Sequence, residues 1–190
     1  MSAWQGYKDI AAPGLFPNNI LSFIDILYLR TRMKRYGLVL CLLLTGSLIA
    51  LCKQILSGRV IKVADGDTIT ILTEDFTQIK VRLHGVDCPE RKQDFANKAK
   101  IFTSGLVFGK VVNVAALNKD RYGRTIGIVS LPDGRILNRE LLKAGLAWHY
   151  KKYDSSSEWA NLELEARKRK VGIWSMKNPI APWEQRKINR

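Results

Sequence analysis

The sequence predicts an α+β domain with a mainly β core: a five-stranded Greek-key barrel of the OB type with about three helices. Two observations lead there. Three short runs of alternating apolar and polar residues, a stretch of helical periodicity and two more alternating runs follow one another, with helices trailing behind. A chain of 190 residues also has the length for one such domain plus an appendage. An N-terminal hydrophobic signal or anchor helix is expected ahead of the barrel.

Residues 59–63 and 68–72 alternate on either side of Asp65-Gly66-Asp67, a turn-forming triplet, and predict a hairpin-like pair. Residues 78–83 supply a third strand of the same period. Over 98–108 the apolar positions fall at helical spacing, with Gly109 as a stop. Residues 111–115 and 125–129 are the fourth and fifth strands, and 131–135 a turn. A second helix is expected to start at Asn138 as its cap, with Glu140 in its first turn and Gly145 near its end. A third runs from Ser156 or Ser157 to Lys170, with Trp159, Leu162 and Ala166 on one face, and Gly172-Ile173-Trp174 docks its end. The basic, proline-containing remainder is expected to lie extended over the surface.

The formal charge is +14, and most of that excess lies beyond Cys52. It favours an acidic partner, nucleic acid or an anionic membrane surface. The segment Gly37 to Cys52 is apolar and uncharged, and follows Arg30, Arg32, Lys34 and Arg35. A basic flank, an apolar stretch and small residues form the pattern of a secretory signal, and the stretch falls short of the ~20 residues a membrane span prefers. Met33 directly precedes Lys34 and Arg35 and is expected to be the true start. Residues 1–32 are then an artefactual extension or, on the alternative reading, a short cytoplasmic tail. Residues 33–52 form a cleaved signal or an uncleaved anchor, 53–58 a linker, 59–175 the domain and 176–190 a tail. The expected location is periplasmic or secreted, or membrane-anchored through 37–52 with the domain outside the cytoplasm. Cys41, Cys52 and Cys88 offer no disulfide framework and no metal-ligand spacing with the histidines, and Cys88 is expected to be free.

Chemistry concentrates in three places: Val63-Ala64-Asp65-Gly66-Asp67-Thr68, Val81-Arg82-Leu83 with Val86-Asp87-Cys88-Pro89-Glu90, and Asp120-Arg121-Tyr122-Gly123-Arg124. Singly, each has an ordinary structural explanation. Asp and Gly suit turns, a residue before proline is biased to extended backbone, and a glutamate suits the start of a helix. A strand arginine usually faces solvent. If Arg82 points inward it needs an anion, either a carboxylate or a phosphate. Jointly, the carboxylates close loops near one barrel mouth where two arginines can converge. Asp67, Asp87 and the backbone carbonyl of Cys88 could serve Ca²⁺, which takes several oxygen ligands in irregular geometry. Glu90 could handle a water as general base, and Arg82 and Arg124 could offset charge on a phosphorane-like transition state.

These segments, with Asn138-Arg139-Glu140-Leu141-Leu142-Lys143-Ala144-Gly145-Leu146-Ala147 and Gly172-Ile173-Trp174, resemble the staphylococcal nuclease (thermonuclease) family, in order and from Gly58 to Ser175. A bacterial exported member is suggested. The resemblance implies an OB barrel and Ca²⁺-dependent hydrolysis of DNA and RNA with little sequence preference, leaving 3′-phosphates. It places the metal aspartates on Asp67 and Asp87, a ligand carbonyl on Cys88, the catalytic glutamate on Glu90 and the phosphate-binding arginines on Arg82 and Arg124.

Arg121 and Tyr122 are expected to touch substrate. The family's base-contacting tyrosines fall in Trp148-His149-Tyr150-Lys151-Lys152-Tyr153, so Tyr150 and Tyr153 are candidates for stacking on bases. Alternatively, Trp148 and one tyrosine pack the barrel–helix seam. His149 is expected at the surface. The chain departs from the family in a shorter stretch between Glu90 and Phe102, and in Cys88 standing where threonine is usual. The terminal Pro182-Trp183-Glu184-Gln185-Arg186-Lys187 resembles a tail of exported members and receives no role. The partners expected are DNA and RNA as substrates, with no stable protein partner and a monomeric state. Two rivals stay open: a non-catalytic nucleic-acid-binding OB module at the cell envelope, and a basic membrane-surface protein. The second leaves the acidic cluster unexplained.

Overall fold

The computed structural model of the chain describes residues 54–188, and the expectations for 1–32 and 33–52 lie outside them. Five strands close a barrel in the order β1-β2-β3-β6-β5. They are β1 (Ile55–Asp65), β2 (Thr68–Leu72), β3 (Gln78–Leu83), β5 (Val111–Lys119) and β6 (Thr125–Ser130). Period-two alternation puts Ile69, Ile71, Val81, Leu83, Val112, Val114 and Val129 inside, and a register shift in β1 lets Val60 and Val63 both join them. Each such side chain contributes about 1.5–3 kcal/mol by leaving water.

β1 is longer than its alternating run suggested because it serves two partners. Ile55 to Arg59 pair with β5, and Arg59 to Asp65 pair with β2. Register shifts between Val60 and Lys62 and between Val63 and Asp65 bend the strand around this corner. β3 and β6 pair in parallel and close the barrel, with Val81 opposite Thr125 and Arg82 opposite Ile126.

Helix α1 (Ala96–Val107) packs Ala99, Thr103 and Val107 onto the barrel. It starts two residues before the periodicity does, behind Phe95 in a left-handed conformation (φ 66°). Thr103 Oγ1 donates to the Gly66 carbonyl at 2.6 Å and ties the helix to the β1–β2 turn. Helix α2 (Leu137–Lys143) starts behind Ile136, not behind an Asn138 cap. Asn138 is instead fully buried: its Oδ1 accepts from the Val129 amide (3.1 Å) and its Nδ2 donates to the His84 carbonyl (2.9 Å). Leu137 is equally buried, and the helix begins two residues earlier than an Asn138 cap would have it.

Helix α3 (Ser157–Lys168) begins with Ser156 accepting from the Trp159 amide and buries Trp159 and Ala166. A 3₁₀ turn, Gly172–Ser175, seats Ile173 and Trp174 against it, as expected. Two elements lie outside the sequence expectation. Val86–Asp87 (β4) and Trp148–His149 (β7) form a two-stranded sheet of their own. The tail is not extended: Pro182–Ile188 form a fourth helix, α4.

Candidate active site

The tight turn after β1 delivers Asp67 to the mouth of the barrel. Gly66 is the residue that lets it pass, because a Cβ there would stand 2.7 Å from Ala99 Cβ and 2.8 Å from Cys88 Sγ. Asp67 Oδ2 accepts from the Cys88 amide at 2.6 Å, and its carbonyl accepts from the Leu83 amide. One aspartate thus links the β1–β2 turn, the end of β3 and the segment after β4. Asp87 is held from the other side, where β4 pairs it with Trp148 of β7.

Arg82 points inward and finds its anions in both aspartates. Its Nη1 donates to Asp67 Oδ1 and its Nη2 to Asp87 Oδ1, the latter at 2.5 Å. Asp67 and Asp87 are 1% and 0% exposed, so water screens neither. Burial pushes the Asp67 carboxyl above the usual range, and Asp87 adds to this against the pull of Arg82. Burial disfavours the Arg82 charge, yet Asp67 and Asp87 together hold its pKa above normal. Cys88 is a free, buried thiol, its pKa pushed well up by burial and then by Asp67, so it supplies a backbone and not a thiolate.

Glu90 lies at the rim, its side chain 38% exposed, in a turn where its amide donates to Gln93 Oε1. Its carboxylate accepts from Arg186 of α4. The same guanidinium reaches Asp87 Oδ2 at 2.7 Å and Oδ1 at 3.4 Å. Three carboxylates therefore share two guanidinium groups.

Arg124 stands just ahead of β6, one residue before Thr125, which pairs with Val81 of β3. Its side chain is engaged in its own turn. Asp120 accepts from Arg124 Nε at 2.7 Å and from the Tyr122 and Arg124 amides at 2.9 Å. Tyr122 is exposed, with the guanidinium groups of Arg121 and Arg124 over its ring. Tyr150 stacks on Trp183 of α4 (centroids 4.9 Å apart, planes 7° apart), and Tyr153, largely exposed, meets Tyr150 edge-on. Trp148 is buried edge-on against Trp174, the seam role. His149 is buried and not at the surface: Asp154 pairs with its Nε2 at 2.9 Å and its amide donates to Glu163.

Among the described residues no group of three or more His, Cys, Asp or Glu side chains is disposed to hold a metal ion. The carboxylates turn to the arginines. Their chemistry nevertheless suits a hard cation. The donors are oxygen only, and burial, with Asp87 beside it, disfavours the Asp67 carboxylate even against Arg82, a cost a bound cation would offset. Asp67, Asp87 and the Cys88 carbonyl are the residues that would hold one.

The family model for staphylococcal nuclease homologues matches residues 80–176. The chain belongs to the staphylococcal nuclease family. It is 41% identical over 133 residues to an uncharacterized endonuclease of Escherichia coli O157:H7, covering 70% of this chain and 86% of that one. A second uncharacterized endonuclease, from Haemophilus influenzae, is 40% identical over 161 residues, covering 83% and 90%. A micrococcal nuclease of Shigella flexneri is 35% identical over 143 residues, covering 70% and 82%. The protein is a nuclease, a hydrolase of the family's kind.

The matched residues take in Arg82, Asp87, Cys88, Glu90 and Arg124 but stop short of α4. Arg186 and Trp183 escaped the sequence reading for a related reason. The partners of Arg186 lie about a hundred residues upstream, that of Trp183 lies beyond the whole of α3 and the 3₁₀ turn, and the one local signal was Pro182 at a first helical position.

Proposed function

We propose that this nuclease is a Ca²⁺-dependent endonuclease acting on DNA and RNA with little sequence preference, and that it leaves 3′-phosphates. The observation that carries the reading is the pair of buried aspartates closed around Arg82, with Glu90 at the solvent rim shortly after Asp87 in the chain. A Ca²⁺ ion bound there would polarise the phosphodiester and lower the cost of charge on its oxygens.

The chain's own residues do the remainder. Glu90 is open enough to accept a proton from a water that attacks phosphorus. The bond from phosphorus to the 5′ oxygen breaks, that oxygen takes up a proton, and the phosphate stays on the 3′ side. Arg82 and Arg124 offset the charge that gathers on the equatorial oxygens, with Arg124 aimed by Asp120. Contacts confined to backbone phosphate and sugar carry little sequence information, hence broad tolerance. We place the enzyme outside the cytoplasm, on the strength of the basic flank and apolar stretch within residues 33–52.

Incubating the purified protein with DNA and with RNA, in calcium and in chelator, tests the reading. Cleavage should need calcium, and Glu90→Gln should cut turnover by roughly a hundredfold or more while the protein stays folded. Undiminished cleavage in chelator, or full activity in the Gln variant, would sink it.

A further inference from the structure

Helix α4 lies beyond the residues the family model matches, yet it reaches the centre of the site. Trp183 stacked on Tyr150 moors it, and Gln93 Nε2 donating to the Ile180 carbonyl at 3.0 Å fixes the strand of chain leading in. Within α4 only Pro182 is buried, so the helix is held by its edge. From this mooring Arg186 spans Asp87 and Glu90.

As a structural clamp the Glu90 arm is weak: the Arg186 and Glu90 side chains are 40% and 38% exposed, and ion pairs at such exposure add at most about 1 kcal/mol. The other arm ends on the buried Asp87, which Arg82 also serves. As an exchangeable contact it is well built. A guanidinium grips a phosphodiester with the same fork it offers a carboxylate. A cation held by Asp87 would also repel Arg186 and compete for the same oxygens. Asp87 keeps Arg82 when Arg186 leaves, and an entering cation would replace the positive charge that Arg186 withdraws.

We propose that Arg186 is a third arginine of the substrate site, one that neutralises Asp87 and Glu90 in the free enzyme and transfers to the nucleic-acid phosphate when ion and substrate enter. The inference rests on Asp87 as a metal ligand and Glu90 as the base. In the free enzyme Arg186 is a competitor of the ion. In the complex it is a phosphate grip, swung from a helix that Trp183 keeps in place.

The test compares the wild-type full chain with Arg186→Gln, Trp183→Ala and Lys187→Ala. Lys187 sits on the same helix and pairs with Glu184, so it controls for the loss of one positive charge. Calorimetry without nucleic acid should find calcium bound several-fold more tightly by R186Q and W183A than by wild type, with K187A unchanged. With single-stranded DNA, KM should rise roughly tenfold in R186Q and in W183A while kcat moves far less, as loss of one charge-assisted grip requires. R186Q matching wild type in both calcium affinity and KM overturns the role of Arg186 and leaves the nuclease reading standing. So does K187A reproducing either effect. A wild type that neither binds calcium nor cuts DNA removes both readings together.

Discussion

Replacing Gly66 by alanine should damage the fold and the site through one collision. The added Cβ would lie 2.7 Å from Ala99 Cβ, 2.8 Å from Cys88 Sγ and 3.1 Å from Cys88 Cβ. Comfortable carbon contacts are about 3.5–4.0 Å, so the overlap with Ala99 approaches ~1 Å. Neither neighbour is a flexible chain end. Ala99 is buried on α1, and Cys88 is the residue whose amide holds Asp67. Overpacking of this kind costs about 1–3 kcal/mol, which should lower the urea midpoint by roughly 1 M. The same displacement moves Cys88 relative to Asp67, and a ~1 Å misplacement costs about a hundredfold in rate. Pairing Gly66→Ala with Ala99→Gly removes the shorter contact and should recover stability beyond additivity, by ~1 kcal/mol in a double-mutant cycle. Activity should recover less, since the Cys88 contact remains. The reasoning fails if G66A matches wild type in midpoint and kcat/KM, or if the cycle returns no coupling.

Asn138→Ala should cost about 2–3 kcal/mol, because it strands the buried Val129 amide and His84 carbonyl that the side chain joins. Faster hydrogen exchange at Val129 would report the loss, and a midpoint equal to wild type would contradict it. The Asp120 carboxyl titrates below its ordinary range: burial pushes it up, but bonds from Arg124 and the turn amides more than offset this. A depressed folded pKa gives stability that is full above the unfolded value of ~3.9 and vanishes as pH falls through the lower folded one. The stability gap between wild type and Asp120→Ala should therefore close between about pH 5 and pH 2; a gap that stays constant there would count against this account.

Much of the barrel was legible because its signal is local. Residues 59–63, 68–72, 78–83 and 125–129 alternate in sequence, which marks them as strands whatever their neighbours. The face each buries was not so fixed: β2 is buried on both faces, and β6 turns Thr125, Gly127 and Val129 inward and not its isoleucines. The site carboxylates were legible for a similar reason: they end strands and occupy turns, where sequence punctuation is strong. The rest depends on partners far along the chain. β4 and β7 are two residues each, too short for any period, and exist because Val86 meets His149. Asn is a favoured cap, so Asn138 looked like one, but two distant backbone groups claimed its amide. His149 carries no pattern of its own, and its burial is set by Asp154 and Trp159. In α4, Trp183 and Ile188 are the only large apolar residues of seven, so helical periodicity could not declare it.

The centre of the site follows from the need to compensate charge in a dry place. Asp67 and Asp87 could not remain ionised side by side in a buried pocket without a cation, and Arg82 is the one that serves both. Removing it by Arg82→Ala leaves Asp67 without a guanidinium and Asp87 with only Arg186 at the rim. Breaking a buried pair from one side costs about 3–5 kcal/mol, so R82A should be markedly destabilised in chelator. That cost depends on what else can fill the role. A divalent ion that binds the native pocket and not the unfolded chain returns stability by mass action, about 2.7 kcal/mol at a hundred times its Kd. Calcium should therefore stabilise R82A more than wild type, where Arg82 already satisfies the carboxylates, while turnover stays low because phosphate has lost its grip. Thermal melts of both proteins with and without calcium decide this. Equal calcium shifts in the two would mean that Arg82 and the ion do not answer to the same pair of aspartates.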